Sequence, residues 1–204
     1  MKIKVCGLKD PENIRSVAAL NPDYMGFICY GPSPRFIGTL DTEVLRALPL
    51  TLCKTAVFVD ETAETINNLI ELFKFNAIQL HGHESPGFCS LFKTKVTVFK
   101  AFGIDEGFDF NGLNPYVNVV DFFLFDTKTV NHGGSGNTFD WGLLNRYKLN
   151  VPFFLSGGLS PANLGDVKNI DHPLFYGVDL NSKFEISPGI KNISQLQHSF
   201  EVLK

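Results

Sequence analysis

The chain has 204 residues, a length that suits one domain, and its 44% hydrophobic and 19% charged residues are ordinary for a soluble globular protein. Its net charge of −3 and the lack of a Lys/Arg run exclude the electrostatic footprint of a nucleic-acid-binding protein. No apolar run is long enough to span a bilayer, and the N-terminal residues lack the apolar core of a signal peptide, so we expect no membrane partner.

Short β-branched or aromatic runs alternate with polar-capped amphipathic stretches along the chain. The predicted strands cover residues 2–6, 24–30, 54–59, 77–80, 96–101, 119–125, 151–155 and 174–178. Helices are predicted over residues 10–20, from near 41, over 62–73, near 161–167 and over 193–203, with a poorly marked one between the fifth and sixth strands.

Strict alternation of strands and helices implies parallel strands joined by right-handed crossovers. Eight such units close into a (β/α)8 TIM barrel, and residues 1–204 would form it as one domain. A doubly wound open sheet is the alternative. The barrel is favoured because polar and glycine-rich residues follow nearly every predicted strand.

The four cysteines never form a CxxC pair, and three of them lie inside or at the end of strand-like segments. Free thiols in a reducing compartment are the simpler interpretation, so we predict a cytoplasmic protein. These residues are Cys6, Cys29, Cys53 and Cys89.

A carboxylate ends the sixth predicted strand. Four apolar residues precede Asp126, and the loop after it contains Gly133-Gly134-Ser135-Gly136. A buried strand, an acid at its C-terminal end and a glycine-rich loop together are typical of a barrel active site. A capping aspartate beside a flexible loop is the alternative.

Cys6 follows Lys4 on one face of the first strand. If that face points into the barrel, the cation below the sulfur favours the thiolate, and Cys6 could be a base or nucleophile. The alternative is an inert buried cysteine. We hypothesise that Lys4 is a barrel-lining ammonium, an idea that an unchanged Cys6 pKa in Lys4→Met would refute.

Two further strand ends carry polar side chains. Pro32 and Pro34 stiffen a loop that presents Arg35, which suits capture of a carboxylate, although an ordinary surface ion pair is equally compatible. His81 and His83 form an HxH pattern that can bind a metal, but no strand end supplies the remaining ligands. We therefore predict no metal site and assign His83 to the polar lining of a pocket.

The last two strands are followed by small-residue loops. Gly157 and Gly158 lie in a loop that should run directly into a helix, and Asp179, Asn181 and Ser182 lie in the small polar loop after the eighth strand. Exposed backbone N–H groups bind anions, and barrels commonly bind phosphate at this place. No GxGxxG or GK[ST] motif supports a nucleotide-binding fold.

Seven motifs occur in an order and spacing that resemble the phosphoribosylanthranilate isomerase family of tryptophan biosynthesis, over residues 2 to about 191. They are Lys4-Val5-Cys6-Gly7, Gly26-Phe27 with Ser33-Pro34-Arg35, Gln79-Leu80-His81-Gly82, Phe125-Asp126, the run from Gly133 to Trp141, Ser156-Gly157-Gly158-Leu159, and Gly177-Val178-Asp179 with Pro188-Gly189-Ile190-Lys191. The resemblance implies an Amadori rearrangement of N-(5-phosphoribosyl)anthranilate without a cofactor, in a monomer or homodimer.

The resemblance also implies residue roles. Asp126 would be the general acid that opens the furanose ring, and Cys6 the general base at C2′. Arg35 would face the anthranilate carboxylate, Asp179 the sugar hydroxyls, and the loops at Gly157-Gly158 and Asn181-Ser182 the phosphate. Lys183 and Asn192 depart from the residues usual in the family, the second as a helix-start detail.

Two other functions remain open at this point. Another phosphosugar barrel, such as an epimerase, would share the phosphate loops but needs metal-binding His and Asp residues at several strand ends, which the sequence lacks. A barrel that only binds an anion would be expected to lose the acid or the base, and both are present.

Overall fold

Eight parallel strands form a closed barrel in chain order in the computed structural model, which describes residues 1–128 and 138–204. The ring is closed by β1 and β8, in a register that pairs Lys4 with Asp179. The strands are β1 Lys2–Val5, β2 Tyr24–Ile28, β3 Cys53–Phe58, β4 Ala77–Leu80, β5 Thr97–Ile104, β6 Phe122–Thr127, β7 Phe153–Leu155 and β8 Phe175–Leu180. The predicted (β/α)8 barrel is confirmed, and the open sheet is excluded.

Five α-helices of the described residues pack outside the barrel. They are α1 Pro11–Ala19, α2 Thr42–Arg46, α3 Ala63–Phe73, α4 Pro86–Ser90 and α5 Ile193–Leu203. In α3 the Thr62 side chain accepts a hydrogen bond from the Thr65 amide, and Ile66, Ile70 and Phe73 are buried as the predicted apolar face. In the described part of the chain no helix combines the length and apolarity that crossing a bilayer requires.

The connections after β5, β6 and β7 differ from the expected α-helices. Each contains a 3₁₀ helix, over Phe110–Tyr116, Trp141–Arg146 and Leu164–Asn169. Each of these segments is short and contains a glycine, and the first also contains Pro115, which donates no backbone hydrogen bond. The Gly157-Gly158 loop therefore reaches a turn and then a 3₁₀ helix, not the start of an α-helix.

A small hairpin that the sequence did not predict follows β8. After a 3₁₀ turn at Ser182–Phe184, strands β9 Glu185–Ser187 and β10 Ile190–Lys191 pair antiparallel. Asn192 then caps α5 by accepting a hydrogen bond from the Gln195 amide, as a helix-start residue should. The hairpin lies beside the loops at the carboxyl end of the barrel, where it contacts the site described below.

Side chains alternate between two cores along each strand. Phe123 and Phe125 face outward into the large cluster beneath the helices, whereas Leu124 faces inward with Phe99 and Phe154. The inner aromatic rings pack edge-to-face near the amino ends of the strands. The barrel is thus closed below by aromatic residues, and its polar inward side chains lie above them.

Candidate active site

A cavity of about 300 Å³ opens at the carboxyl ends of the strands. Nine residues were predicted for the site, and eight of them line this cavity: Cys6, Arg35, Asp126, Gly157, Gly158, Asp179, Asn181 and Ser182. They come from the ends of β1, β2, β6, β7 and β8. Parallel strands bring these ends to one face of the barrel, which explains why residues far apart in sequence meet there.

Cys6 lies at the rim, directly after β1. It is buried, and Gly26 on the neighbouring strand gives it room, because a Cβ at position 26 would lie 2.5 Å from the Cys6 Sγ. Burial raises the pKa of the Cys6 thiol, while the Lys4 ammonium lowers it and hydrogen-bonds the sulfur. Lys4 therefore has the contact that the sequence hypothesis required, but in the free protein burial outweighs it and the thiol is favoured.

Lys4 and Asp179 form a buried ion pair across the closing seam of the barrel. The Lys4 Nζ lies 2.9 Å from Oδ2 of Asp179, and both side chains are almost fully buried. The other carboxylate oxygen, Oδ1, is buried without a hydrogen-bond partner in the described parts of the chain. Asp179 also lines the cavity, so its carboxylate lies next to the space that a substrate would occupy.

Asp126 lies three strands from Cys6 around the barrel, with 24% of its side chain exposed toward the cavity. Burial raises its pKa to about 6, the charge of Asp179 adds to the rise, and a hydrogen bond from the Thr127 amide opposes it. Gly157, at φ +77°, packs so closely that a Cβ there would lie 2.5 Å from Oδ1 of Asp126. The raised pKa agrees with an acid that holds its proton more readily than an ordinary aspartate.

Two of the apolar residues that precede Asp126 in sequence, Phe122 and Phe125, do not surround its carboxyl group. Phe122 packs among the aromatic rings at the other end of the barrel, and Phe125 faces outward. The strand alternation explains this arrangement, because residues 122, 124 and 126 point inward at successive levels. The glycine-rich loop predicted at Gly133-Gly134-Ser135-Gly136 lies outside the described residues.

His83 lies outside the cavity, which differs from its predicted place in the pocket. Its side chain is 84% exposed, and its Nδ1 lies 3.0 Å from Oδ2 of Asp60. The chain turns at Gly82, where a Cβ would collide with Asp60, and this turn carries His83 away from the barrel axis. No group of three or more His, Cys, Asp and Glu side chains in residues 1–128 and 138–204 is arranged to hold a metal ion.

His81 takes the place in the cavity that was predicted for His83. It follows Gln79 on the inward face, with Nδ1 2.8 Å from the Gln79 side-chain nitrogen, and its Nε2 lies 3.6 Å from Oδ2 of Asp126. If the Gln79 amide donates to Nδ1, the imidazole carries its proton on Nε2, toward Asp126. The period-two alternation from Gln79 could have indicated this residue.

Arg35 forms an ion pair, the alternative that the sequence left open, but with a nearly buried partner and not at the surface. Its Nε and Nη2 donate side-on to the Glu185 carboxylate at 2.7 to 3.1 Å, and Lys191 also contacts that carboxylate at 2.7 Å. Glu185 belongs to β9 and lies 150 positions from Arg35 in the sequence, so their contact depends on the tertiary fold. No local pattern around residue 185 indicated this pairing.

The loop after β7 has the backbone geometry of an anion site. Gly157 and Gly158 have φ values of +77° and +66°, in the left-handed region that favours glycine. Their amides donate no hydrogen bond to any residue in the described ranges. Both residues line the same cavity as Asn181 and Ser182, which follow the neighbouring strand β8.

The barrel and its cavity, with a carboxyl group and a thiol on different strand ends, define a (β/α)8-barrel enzyme. A family model described as N-(5'-phosphoribosyl)anthranilate (PRA) isomerase matches residues 3–202. The chain belongs to this family and is an isomerase.

Similar proteins cover nearly the whole chain. The N-(5'-phosphoribosyl)anthranilate isomerase of Parabacteroides distasonis is 45% identical over 97% of this chain and 91% of its own length, and that of Phocaeicola vulgatus is 39% identical over 98% and 96%. The crystal structure of the Thermotoga maritima phosphoribosyl anthranilate isomerase superposes with a TM-score of 0.81 at 30% identity, covering 99% of this chain and 98% of that one. The structure of a phosphoribosyl anthranilate isomerase in complex with reduced 1-(o-carboxyphenylamino)-1-deoxyribulose 5-phosphate superposes with a TM-score of 0.80 at 27% identity, covering 98% of this chain and 97% of that one.

Proposed function

We propose that residues 1–204 act as one catalytic domain that converts N-(5-phosphoribosyl)anthranilate to 1-(2-carboxyphenylamino)-1-deoxyribulose 5-phosphate in tryptophan biosynthesis, in the cytoplasm. The observation that carries the proposal is that Asp126, with a pKa raised to about 6, and Cys6 line one cavity from strand ends three positions apart around the barrel. Family membership supports the same reaction.

The first step opens the furanose ring. Asp126 donates its proton to the ring oxygen while the C1′–O bond breaks, and the anilino nitrogen lone pair forms a C1′=N bond. A carboxyl group with a raised pKa suits this step, because it carries a proton to transfer and leaves a stable carboxylate. The product is a protonated Schiff base.

The second step moves hydrogen from carbon. The Cys6 thiolate removes the C2′ proton, and the electron pair shifts to form C1′=C2′ while the C1′=N electrons return to nitrogen. The resulting enolamine takes a proton at C1′ and loses the hydroxyl proton at C2′, which yields the ketone. The iminium group accepts the electron pair and so makes the C2′ proton acidic enough for a thiolate base to remove.

The charged ends of the substrate match the remaining cavity residues. Arg35 would bind the anthranilate carboxylate, and the amides of Gly157 and Gly158, with Asn181 and Ser182, would bind the phosphate. The unpaired Oδ1 of Asp179 would accept a hydrogen bond from a sugar hydroxyl. These contacts hold the sugar between the acid and the base.

The fluorescence of the anthranilate conjugate tests this function. The substrate is generated in situ from anthranilate and phosphoribosyl pyrophosphate, with a chelator present. We expect wild-type protein to accelerate the decay above the spontaneous rate, and Asp126→Asn and Cys6→Ser each to lower kcat by roughly two to four orders of magnitude while remaining folded.

Glu71→Gln is a matched control, because Glu71 is exposed and pairs with Lys74 at the surface of α3. It should keep wild-type activity. A folded wild-type protein that leaves the decay at its spontaneous rate would refute the proposed reaction, and near-normal turnover in either site variant would refute the role given to that residue.

A further inference from the structure

Arg35, Glu185 and Lys191 form a nearly buried ionic cluster at the edge of the cavity. Arg35 is 16% exposed, Glu185 4% and Lys191 0%. Burial alone would raise the pKa of Glu185, but hydrogen bonds and charge from Arg35 and Lys191 overcome it and lower the pKa below the ordinary value. Two cations share one carboxylate, so the cluster keeps a formal charge of +1.

Glu185 occupies only one edge of the guanidinium group. It accepts from Nε and from one N–H of Nη2, while Nη1 donates to no residue in the described ranges. Three of the five guanidinium N–H groups therefore remain for another acceptor. Since Arg35 lines the cavity, a second carboxylate can bind the Nη1/Nη2 edge without displacing Glu185.

Lys191 connects this cluster to the loop after β8. Its Nζ lies 2.7 Å from Glu185, 2.8 Å from Oδ1 of Asn181 and 3.2 Å from the Asn181 carbonyl oxygen. Asn181 and Arg35 also meet at Gly7, where a Cβ would lie 2.6 Å from the Asn181 Oδ1 and 2.7 Å from the Arg35 Cδ. The guanidinium and the loop at Asn181 are thus held against each other from two sides.

We propose that Glu185 and Lys191 are positioning residues that hold Arg35 with its free edge toward the carboxylate of the substrate and fix that edge relative to the phosphate loop. The inference rests on the proposed function and deepens it. An arginine side chain has several rotatable bonds, and a buried side-on partner removes most of that freedom before the substrate arrives. The net positive charge also favours an anion beside the cluster.

Two substrates separate this role from general support of the fold. Phosphoribosylamines of anthranilate and of aniline differ only in the carboxylate. The preference of wild-type protein for the anthranilate compound, as a ratio of kcat/KM values, measures what the carboxylate contributes. We expect Glu185→Gln to lower this ratio on the order of 10-fold or more, through KM for the anthranilate substrate, while the aniline substrate changes by less than about twofold.

Arg35→Met provides the reference, because it removes the carboxylate partner itself. If Glu185 acts through Arg35, the double variant should lose no more preference than Arg35→Met alone. Glu185→Asp keeps the negative charge but has a shorter side chain, so it should lower the ratio several-fold. It is the substitute variant if Glu185→Gln does not fold. Glu71→Gln is the surface control and should leave the ratio unchanged.

An equal loss for both substrates in Glu185→Gln or Glu185→Asp would overturn the inference, since that is the result of a purely structural role. An unchanged ratio would overturn it as well. In both cases wild-type turnover of the anthranilate substrate would leave the proposed function intact. If wild-type protein converts neither compound, the proposed function fails and this inference fails with it.

Discussion

In the proposed mechanism Asp126 and Cys6 act in protonation states opposite to those they favour in the free protein. That mechanism uses a protonated Asp126 and a Cys6 thiolate, whereas the pKa of Asp126 is about 6 and burial raises the pKa of Cys6 above its ordinary 9.0. Between these two pKa values the dominant form is carboxylate with thiol. The active form differs only in where one proton lies, so its fraction stays constant across that range.

The pH dependence of kcat/KM follows from this distribution. We expect a plateau above about pH 6, with activity falling below pH 6 because Asp126 and Cys6 are then both protonated and the thiolate is lost. At high pH, kcat/KM should fall only above pH 9, where both groups are deprotonated. Initial rates from pH 5 to 9 check the plateau and the fall below it, and kcat/KM that keeps rising as the pH falls from 6 to 5 would contradict the assignment.

At the scale of single elements, α3 ends in an unfavourable residue. Its C-cap Lys74 has φ 54° and ψ 48°, the left-handed conformation that costs a non-glycine residue about 1 kcal/mol. Lys74→Gly relieves this cost and loses only an exposed pair with Glu71, which contributes a few tenths of a kcal/mol. We expect a net gain of about 0.5 kcal/mol in the free energy of unfolding, measured by urea denaturation.

Lys74→Ala is the matched control for that gain. It loses the same surface pair but keeps the Cβ, so it should be no more stable than wild type. Equal stability of the glycine and alanine variants would show that backbone strain at this cap is not the cause.

At the scale of the whole molecule, the raised pKa of Asp126 links proton binding to stability. The folded chain holds this proton up to about pH 6, whereas an unfolded aspartate releases it near pH 3.8. Protonated Asp126 therefore stabilises the folded state fully below pH 3.8, and this stabilisation is lost as the pH rises through 6. The shift corresponds to at most about 3 kcal/mol. The stability of Asp126→Asn relative to wild type should therefore increase as the pH rises from 4 to 7.

Denaturation of both proteins at several pH values measures this difference. Because the other titrating groups are common to the two chains, they cancel in the comparison. A stability difference that stays constant from pH 4 to pH 7 would mean that Asp126 titrates normally in the folded protein.

Local signals determined the elements that were predicted correctly. Strand position depended on runs of apolar residues, and α3 on a regular apolar face with a capping threonine, so both could be predicted from neighbours along the chain. The segments after β5, β6 and β7 were misassigned because their glycines, and Pro115 in the first, weaken helix propensity without specifying what replaces the helix. The β9–β10 hairpin consists of strands of three and two residues, too short to give a period-two signal.

The sequence alone predicts the alternation of strands and helices, and with it the barrel. It also predicts that Asp126, Cys6 and the Gly157-Gly158 loop lie at strand ends. Which side chains face the cavity, and which partners they have, depends on contacts that exist only in the folded chain. His81 replaced His83 because the chain turns at Gly82, and Glu185 met Arg35 because the hairpin folds back across 150 positions. Periodicity is carried by adjacent residues, whereas a contact between distant segments depends on how the whole barrel closes.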